Sequence, residues 1–325
     1  MRISLLKLIA VSLLIACFLI WRHFDKDMKL ARARVAQGSV MVQTRCGEIE
    51  TQQAGKGVPL LVVHGAGGGH DQGMAFARAL THSGVRVIAM SRFGYLRAPM
   101  PADASPAAQA DAHVCLLDAL GIQKTAVIGI SAGAPSAIQV AIRYPNRVSA
   151  LVLIVPIAYK PSTLSNSAPP LSPWTEKMLM QLIGSDFVFW VALHVARDQV
   201  IKYVLATLPE LVTNESQQEQ ARVIAMAEHI LPVSIRAKGL HDDALLGMGL
   251  PSYPLESISA PTLIISARDD RFGTYASAQY TASQITGAKF IGYDKGGHVL
   301  VGHEKNIRAE IMKLLIPQTK NINLE

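Results

Sequence analysis

TAVIGISAGAPSAIQVAIRY, residues 125–144, decides the fold. Its first six residues carry no charge and, after Thr125, are apolar or glycine, the pattern of a strand buried on both faces. From residue 134 the spacing turns helical, and Pro135 is tolerated because it falls in the first turn. Between the two stands Gly129-Ile130-Ser131-Ala132-Gly133, a serine on a sharp turn from strand into helix. Flanking glycines let neighbouring backbone approach where a Cβ would clash. The hydroxyl lies at a helix N-terminus, where unpaired N–H groups and the macrodipole favour developing negative charge. G-x-S-x-G alone is common by chance, but in a strand–turn–helix setting it marks Ser131 as a candidate nucleophile.

The same rhythm extends on either side. Residues 58–63 (VPLLVV) and 85–90 (VRVIAM) read as strands before it, and 148–155 (VSALVLIV) as a strand after it. Helical spacing fills 72–82 and 106–120, with Pro106 in a first turn. Strands alternating with helices across short connections imply a mostly parallel sheet covered on both faces. The alternation stops at 157–250. That stretch opens Pro/Ser-rich (KPSTLSNSAPPLSPW) and then shows helix-like spacing around 176–183, 187–205 and 216–230. Strand and helix patterns resume at 261–266, 275–285, 288–293 and 304–315.

A serine hydroxyl needs a base, and the base needs an orienting acid. The second strand group supplies both: Asp269-Asp270 follows 261–266, and His298 follows 288–293. Asp270 and His298 are the chosen pair, with Asp269 the rival acid and Asp294 read as a turn residue. His64-Gly65-Ala66-Gly67-Gly68-Gly69 follows the first strong strand. Such a loop can aim backbone N–H groups at a substrate oxygen, and Ala66 with Ala132 is the natural oxyanion pair. A dinucleotide loop would need glycine at 70, where His70 stands, and an acid after 85–90, where Ser91-Arg92 stands. His64 is read as shaping the oxyanion loop, His70 as able to face the pocket and His303 as a cap or supporting group. His82, His113, His194, His229 and His241 are read as surface or packing residues. No H-x-x-x-H or H-x-E spacing points to a metal.

These motifs (HGAGGG at 64–69, GISAG at 129–133, PTLIISARDD at 261–270, GGH at 296–298) resemble the α/β-hydrolase superfamily over about residues 46–316. Within it the pattern is most similar to the capped haloperoxidase, esterase and meta-cleavage-product hydrolase branch. The resemblance implies an α/β fold with a mostly parallel, eight-stranded-type sheet, helices on both faces and a helical cap insertion. It also implies a Ser131–His298–Asp270 triad with no cofactor and no metal. The loop Ser91-Arg92-Phe93-Gly94-Tyr95-Leu96-Arg97 departs from the branch's usual pattern. Arg92 and Arg97 are read as structural, with one holding an acidic substrate as the alternative.

Hydrophobic residues make up 50% of the 325 and charged residues 17%, enough for a large core and too apolar for wholesale disorder. The formal charge is +7, but residues 1–34 hold seven basic residues against Asp25 and Asp27, so most of it sits at one end. That asymmetry points to a membrane and away from nucleic acid. Residues 8–21 are uncharged, and with 3–7 they span about 28 Å as a helix, close to a hydrocarbon layer if Lys7 snorkels. An uncleaved single-pass anchor is the favoured reading, its sidedness open. A lipoprotein anchored at Cys17 in Leu14-Ile15-Ala16-Cys17 is the alternative. Cys46 and Cys115 are read as free thiols.

The expected organisation is an anchor or signal at 1–21, a charged connector at 22–45, and a hydrolase core at 46–156 and 251–317. A cap at 157–250 and a tail at 318–325 complete it. The expected activity is hydrolysis of a carboxylic ester or related carbonyl substrate through an acyl-enzyme, the substrate carrying an apolar portion. C–C bond hydrolysis of a diketone is the alternative reaction. A non-catalytic, membrane-tethered binding or scaffold protein is the alternative of another class.

Overall fold

The computed structural model describes residues 2–161, 184–247 and 249–319. The expected helix at 176–183 lies outside them. Eight strands form one sheet in the order β1-β2-β4-β3-β5-β6-β7-β8. They are β1 (Ser39–Thr44), β2 (Gly47–Ala54), β3 (Val58–Val63), β4 (Val85–Met90), β5 (Thr125–Ile130), β6 (Val148–Ile154), β7 (Thr262–Ala267) and β8 (Lys289–Tyr293). From β4 to β8 every pairing is parallel, whereas β1 with β2 and β2 with β4 are antiparallel. The mostly parallel sheet expected from the alternation is therefore present, with an antiparallel hairpin at one edge. That hairpin begins inside the stretch read as a connector.

Alternation of side chains along each strand divides the core into two layers. Leu61, Val63, Ile88, Val127, Leu151 and Ile264 face α3 (Pro106–Ala119), α4 (Ala134–Arg143) and α10 (Thr274–Gln284). Leu60, Val62, Val87, Ile128, Val152 and Ile265 face α2 (His70–Ala77) and α11 (Glu304–Thr319). With helices on both faces the central strands are fully buried, which is why their sequences are continuous apolar runs.

The described part of the insertion between β6 and β7 is helical: α5 (Asp186–Val195), α6 (Arg197–Tyr203), α7 (Pro209–Thr213), α8 (Gln217–Glu228) and α9 (Ala237–Gly247). The long helix expected over 187–205 is broken at Ala196, whose φ of −142° lies outside the helical region. A third apolar cluster joins the insertion to the N-terminal helix α1 (Arg2–Ala36). Met28 and Ala31 pack with Phe189, Trp190 and Leu193, with Phe24 alongside. Thus α1 crosses the expected boundary at residue 21 unbroken. Its apolar side chains from Leu8 to Trp21 are exposed, and from Lys7 the helix is long and apolar enough to cross a membrane, while its second half lies on α5.

One sequence expectation is corrected here. Cys46 and Cys115 are joined by a disulfide across 69 residues of chain, with Cα atoms 6.0 Å apart. It ties the β1–β2 turn to α3. Their distance in sequence concealed the pairing.

Candidate active site

Strands β3, β4, β5, β7 and β8 end on one edge of the sheet, and the side chains singled out from the sequence follow them there. Ser131 comes directly after β5, Asp270 three residues after β7 and His298 five after β8. Ser131 holds a φ of 49°, a left-handed conformation rare for a residue with a side chain. It persists because its neighbours are glycines packed without room for a Cβ. A Cβ on Gly129 would stand 2.6 Å from Ala137 Cβ, and one on Gly133 would stand 2.5 Å from the carbonyl oxygens of Val63 and His64. The elbow therefore packs against both its own helix and the loop after β3.

Ser131 Oγ lies 2.9 Å from His298 Nε2, and His298 Nδ1 lies 2.9 Å from Asp270 Oδ2. An ionised carboxylate only accepts, so Nδ1 carries the ring proton and Nε2 is left to accept from the serine hydroxyl. Asp270 is completed by the Phe272 N–H on Oδ1 at 2.9 Å and by the Thr274 hydroxyl on Oδ2. Burial by itself pushes this carboxyl up. The charge of His298 and the three donors outweigh it and hold Asp270 below the usual carboxylate range.

The rival acid occupies a different position. Asp269 accepts the N–H groups of Gly296 and Gly297, at 3.2 and 2.8 Å, and so fixes the loop that carries His298. Asp294 is solvent-exposed and pairs with Arg268. His303 opens α11 against Lys295 O and stacks on Tyr293.

The proposed oxyanion residues lie on adjoining segments. Ala132 follows Ser131 in the single turn leading into α4, and Ala66 is exposed on the glycine loop. That loop meets the elbow at Gly65, where a Cβ would be 3.2 Å from Ser131 Cβ. His64 holds the loop in shape. The Arg92 N–H donates to its Nε2 at 2.9 Å, so Nδ1 carries the proton and donates to Gly65 O at 2.7 Å. Burial, then the nearby Arg92 charge, drives its pKa far down, so this imidazole stays neutral.

One sequence reading changes, that of His70, while the structural reading of Arg92 and Arg97 holds. His70 faces α1 and not the pocket: it is fully buried, with Nε2 3.0 Å from the Val35 carbonyl and Nδ1 3.1 Å from Gln52. Arg92 is occupied by a buried bidentate pair with Asp243 of α9, which also accepts the Tyr95 hydroxyl. Arg97 lies on Glu50 and Ser39. Both arginines are held by the protein's own oxygens.

Sequence reading overlooked Arg236. It is fully buried, binds both oxygens of Asp71, and reaches the carbonyls of Gly68 and His229. With Arg92–Asp243 it pins the insertion to the loops around the elbow. No local pattern announces pairs separated by 151 and 165 residues. Thr274 was also overlooked, although a hydroxyl opening the helix after the acid loop is a usable signal. Phe272, half exposed, sets its ring edge-on to His298 at 4.8 Å and puts an apolar surface beside it.

The profile of the alpha/beta hydrolase fold family matches residues 58–303. An uncharacterized hydrolase of Bacillus subtilis is 27% identical over 267 residues, covering 78% of this chain and 89% of the relative. A 2-hydroxy-6-oxononadienedioate/2-hydroxy-6-oxononatrienedioate hydrolase of a Pseudomonas species is 28% identical over 233 residues, covering 70% and 76%. Among solved structures, an alpha/beta hydrolase fold protein from Nakamurella multipartita superposes with a TM-score of 0.65 at 26% identity, covering 85% of this chain and 98% of that one.

Proposed function

The chain belongs to the alpha/beta hydrolase fold family, and from that premise we propose that Ser131, His298 and Asp270 act as nucleophile, general base and orienting acid. The observation that carries the reading is the unbroken hydrogen-bonded chain from Ser131 Oγ through His298 to Asp270 on a strained elbow. His298 takes the hydroxyl proton as Ser131 Oγ adds to a carbonyl carbon. The oxyanion is held by the N–H groups of Ala66 and Ala132. Collapse expels the leaving group, which receives the proton from His298, and water then hydrolyses the acyl-enzyme by the same route.

For the bond broken, the relatives favour C–C cleavage. The Pseudomonas hydrolase is named for a 2-hydroxy-6-oxo-dienedioate, and a 2-hydroxymuconate semialdehyde hydrolase of Pseudomonas putida is 40% identical over 103 residues, covering 31% of this chain and 37% of that one. The substrate proposed is accordingly a vinylogous diketone with an apolar portion against Phe272. One observation favours carboxylic esters as the second reading: Arg92 and Arg236, the buried guanidiniums near the elbow, are already paired with Asp243 and Asp71. A substrate carboxylate would have to find another cation.

Fluorophosphonate labelling of the wild type, lost in Ser131→Ala, tests the nucleophile. An unlabelled wild type overturns it. Parallel assay of a 2-hydroxy-6-oxo-dienoate and of aryl esters separates the two bonds: the diketone is expected to turn over faster, and cleavage of esters alone moves the assignment to the second reading. We further propose that α1 anchors the enzyme in a membrane as a single pass. Its exposed apolar half supports this, and release of the protein by carbonate washing without detergent would refute it.

A further inference from the structure

At the point where α1 leaves its apolar half, three side chains converge that the hydrolase chemistry does not use. His23 and Asp27 sit one turn apart on α1, and His194 closes the group from the last turn of α5. Their ligand atoms all lie within 4.8 Å of one another, with Asp27 Oδ2 3.3 Å from His23 Nε2 and 3.9 Å from His194 Nε2. Two ligands on a tetrahedral zinc ion stand about 3.3 Å apart, given bonds of about 2.0–2.1 Å. One pair already has that spacing, and the others need small rotations of solvent-exposed rings.

The surroundings orient the donors as metal sites require. His194 Nδ1 donates to the Trp190 carbonyl at 2.8 Å, which leaves Nε2 with a lone pair on the side of Asp27. The Trp190 indole N–H donates to Asp27 Oδ2 at 2.8 Å and fixes the carboxylate, whose oxygen keeps a second lone pair for a metal. The trio is open to solvent, with side chains 57%, 30% and 40% exposed for His23, Asp27 and His194, so an ion can enter and keep water in its fourth position. Two borderline imidazoles with one carboxylate form a set that suits zinc and leaves calcium or magnesium, which take oxygen throughout, poorly served.

We propose that His23, Asp27 and His194 form a Zn²⁺ site that staples α1 to the insertion. Two ligands come from α1 and one from α5, so a bound ion crosses the contact where Phe24 and Met28 pack on Phe189 and Trp190, beside the Trp190–Asp27 hydrogen bond and the Arg32–Asp186 pair. The metal adds a reversible lock where the N-terminal helix meets the insertion.

The test is a zinc titration of the untagged full chain in detergent, after chelator treatment and dialysis, followed by calorimetry and by metal content per chain. One Zn²⁺ per chain is expected. His194→Gln and His23→Gln are each expected to weaken binding by roughly 10- to 100-fold. Fluorophosphonate labelling of these variants reports that they are folded. A wild type that binds no zinc at micromolar concentrations, or folded variants that bind it as the wild type does, overturns the proposal.

Discussion

Replacing Asp270 by asparagine separates the two neighbouring acids and tests the proton relay. In the structure Asp270 Oδ1 accepts the Phe272 N–H, while Oδ2 accepts His298 Nδ1–H and the Thr274 hydroxyl. An asparagine must keep its oxygen on the Phe272 N–H, because an NH₂ there would face a backbone donor that cannot turn or shift its proton, in a pocket with no solvent. The amide NH₂ then faces His298 and donates to Nδ1. Thr274 accommodates this by turning its hydroxyl towards Ser266 Oγ, 3.0 Å away, so the fold is kept. With Nδ1 accepting, the ring proton moves to Nε2 and points at Ser131 Oγ, 2.9 Å away, where the base should be. The wrong tautomer costs about 10⁴ in kcat, or about 5.5 kcal/mol of barrier. Asp269→Asn is the control. Asp269 accepts two backbone N–H groups and an amide oxygen still takes one, so a loss of about tenfold or less is expected. Both variants are to be assayed for turnover and for the rate of fluorophosphonate labelling, with thermal unfolding as the check on folding. Asp270→Asn retaining more than about a tenth of wild-type activity, or Asp269→Asn falling equally far, would refute the assignment of the acid.

Arg236→Met leaves Asp71 buried and unpaired beneath the glycine loop, and a loss of about 3–5 kcal/mol in urea unfolding is expected. Adding Asp71→Asn to it should recover part of that loss; an Arg236→Met protein as stable as wild type would show the pair to be idle. Acid should also destabilise the fold. Burial raises Asp270, Asp71 and Glu50, yet His298, Arg236 and Arg97 respectively overcome it and leave all three below their ordinary values. Carboxyls lowered by folding stabilise above their unfolded pKa and lose that contribution as pH falls through the folded value. Stability should thus begin to drop near pH 4 and fall further below it, and urea midpoints flat from pH 7 to 3 would contradict this.

What could be read from the chain alone was whatever a short stretch of residues encodes. The strand at 125–130, the glycines around Ser131 and the helix after it specify the elbow locally, because Cβ clashes and apolar periodicity act over a few residues. The order of motifs then placed an acid loop and His298 downstream. Only the tertiary structure sets Asp270, and not Asp269, against His298. Adjacent side chains leave a strand end in different directions, and their partners, Gly296, Gly297 and His298, come from another strand's loop. It alone paired Cys46 with Cys115, turned His70 towards Val35, and committed Arg92 and Arg236 to Asp243 and Asp71. It alone laid α1 against α5 and so brought His23 and Asp27 beside His194. Each of these depends on contacts between residues dozens to more than a hundred positions apart, which carry no periodicity and no local propensity. They exist only once the buried sheet has fixed where its loops meet.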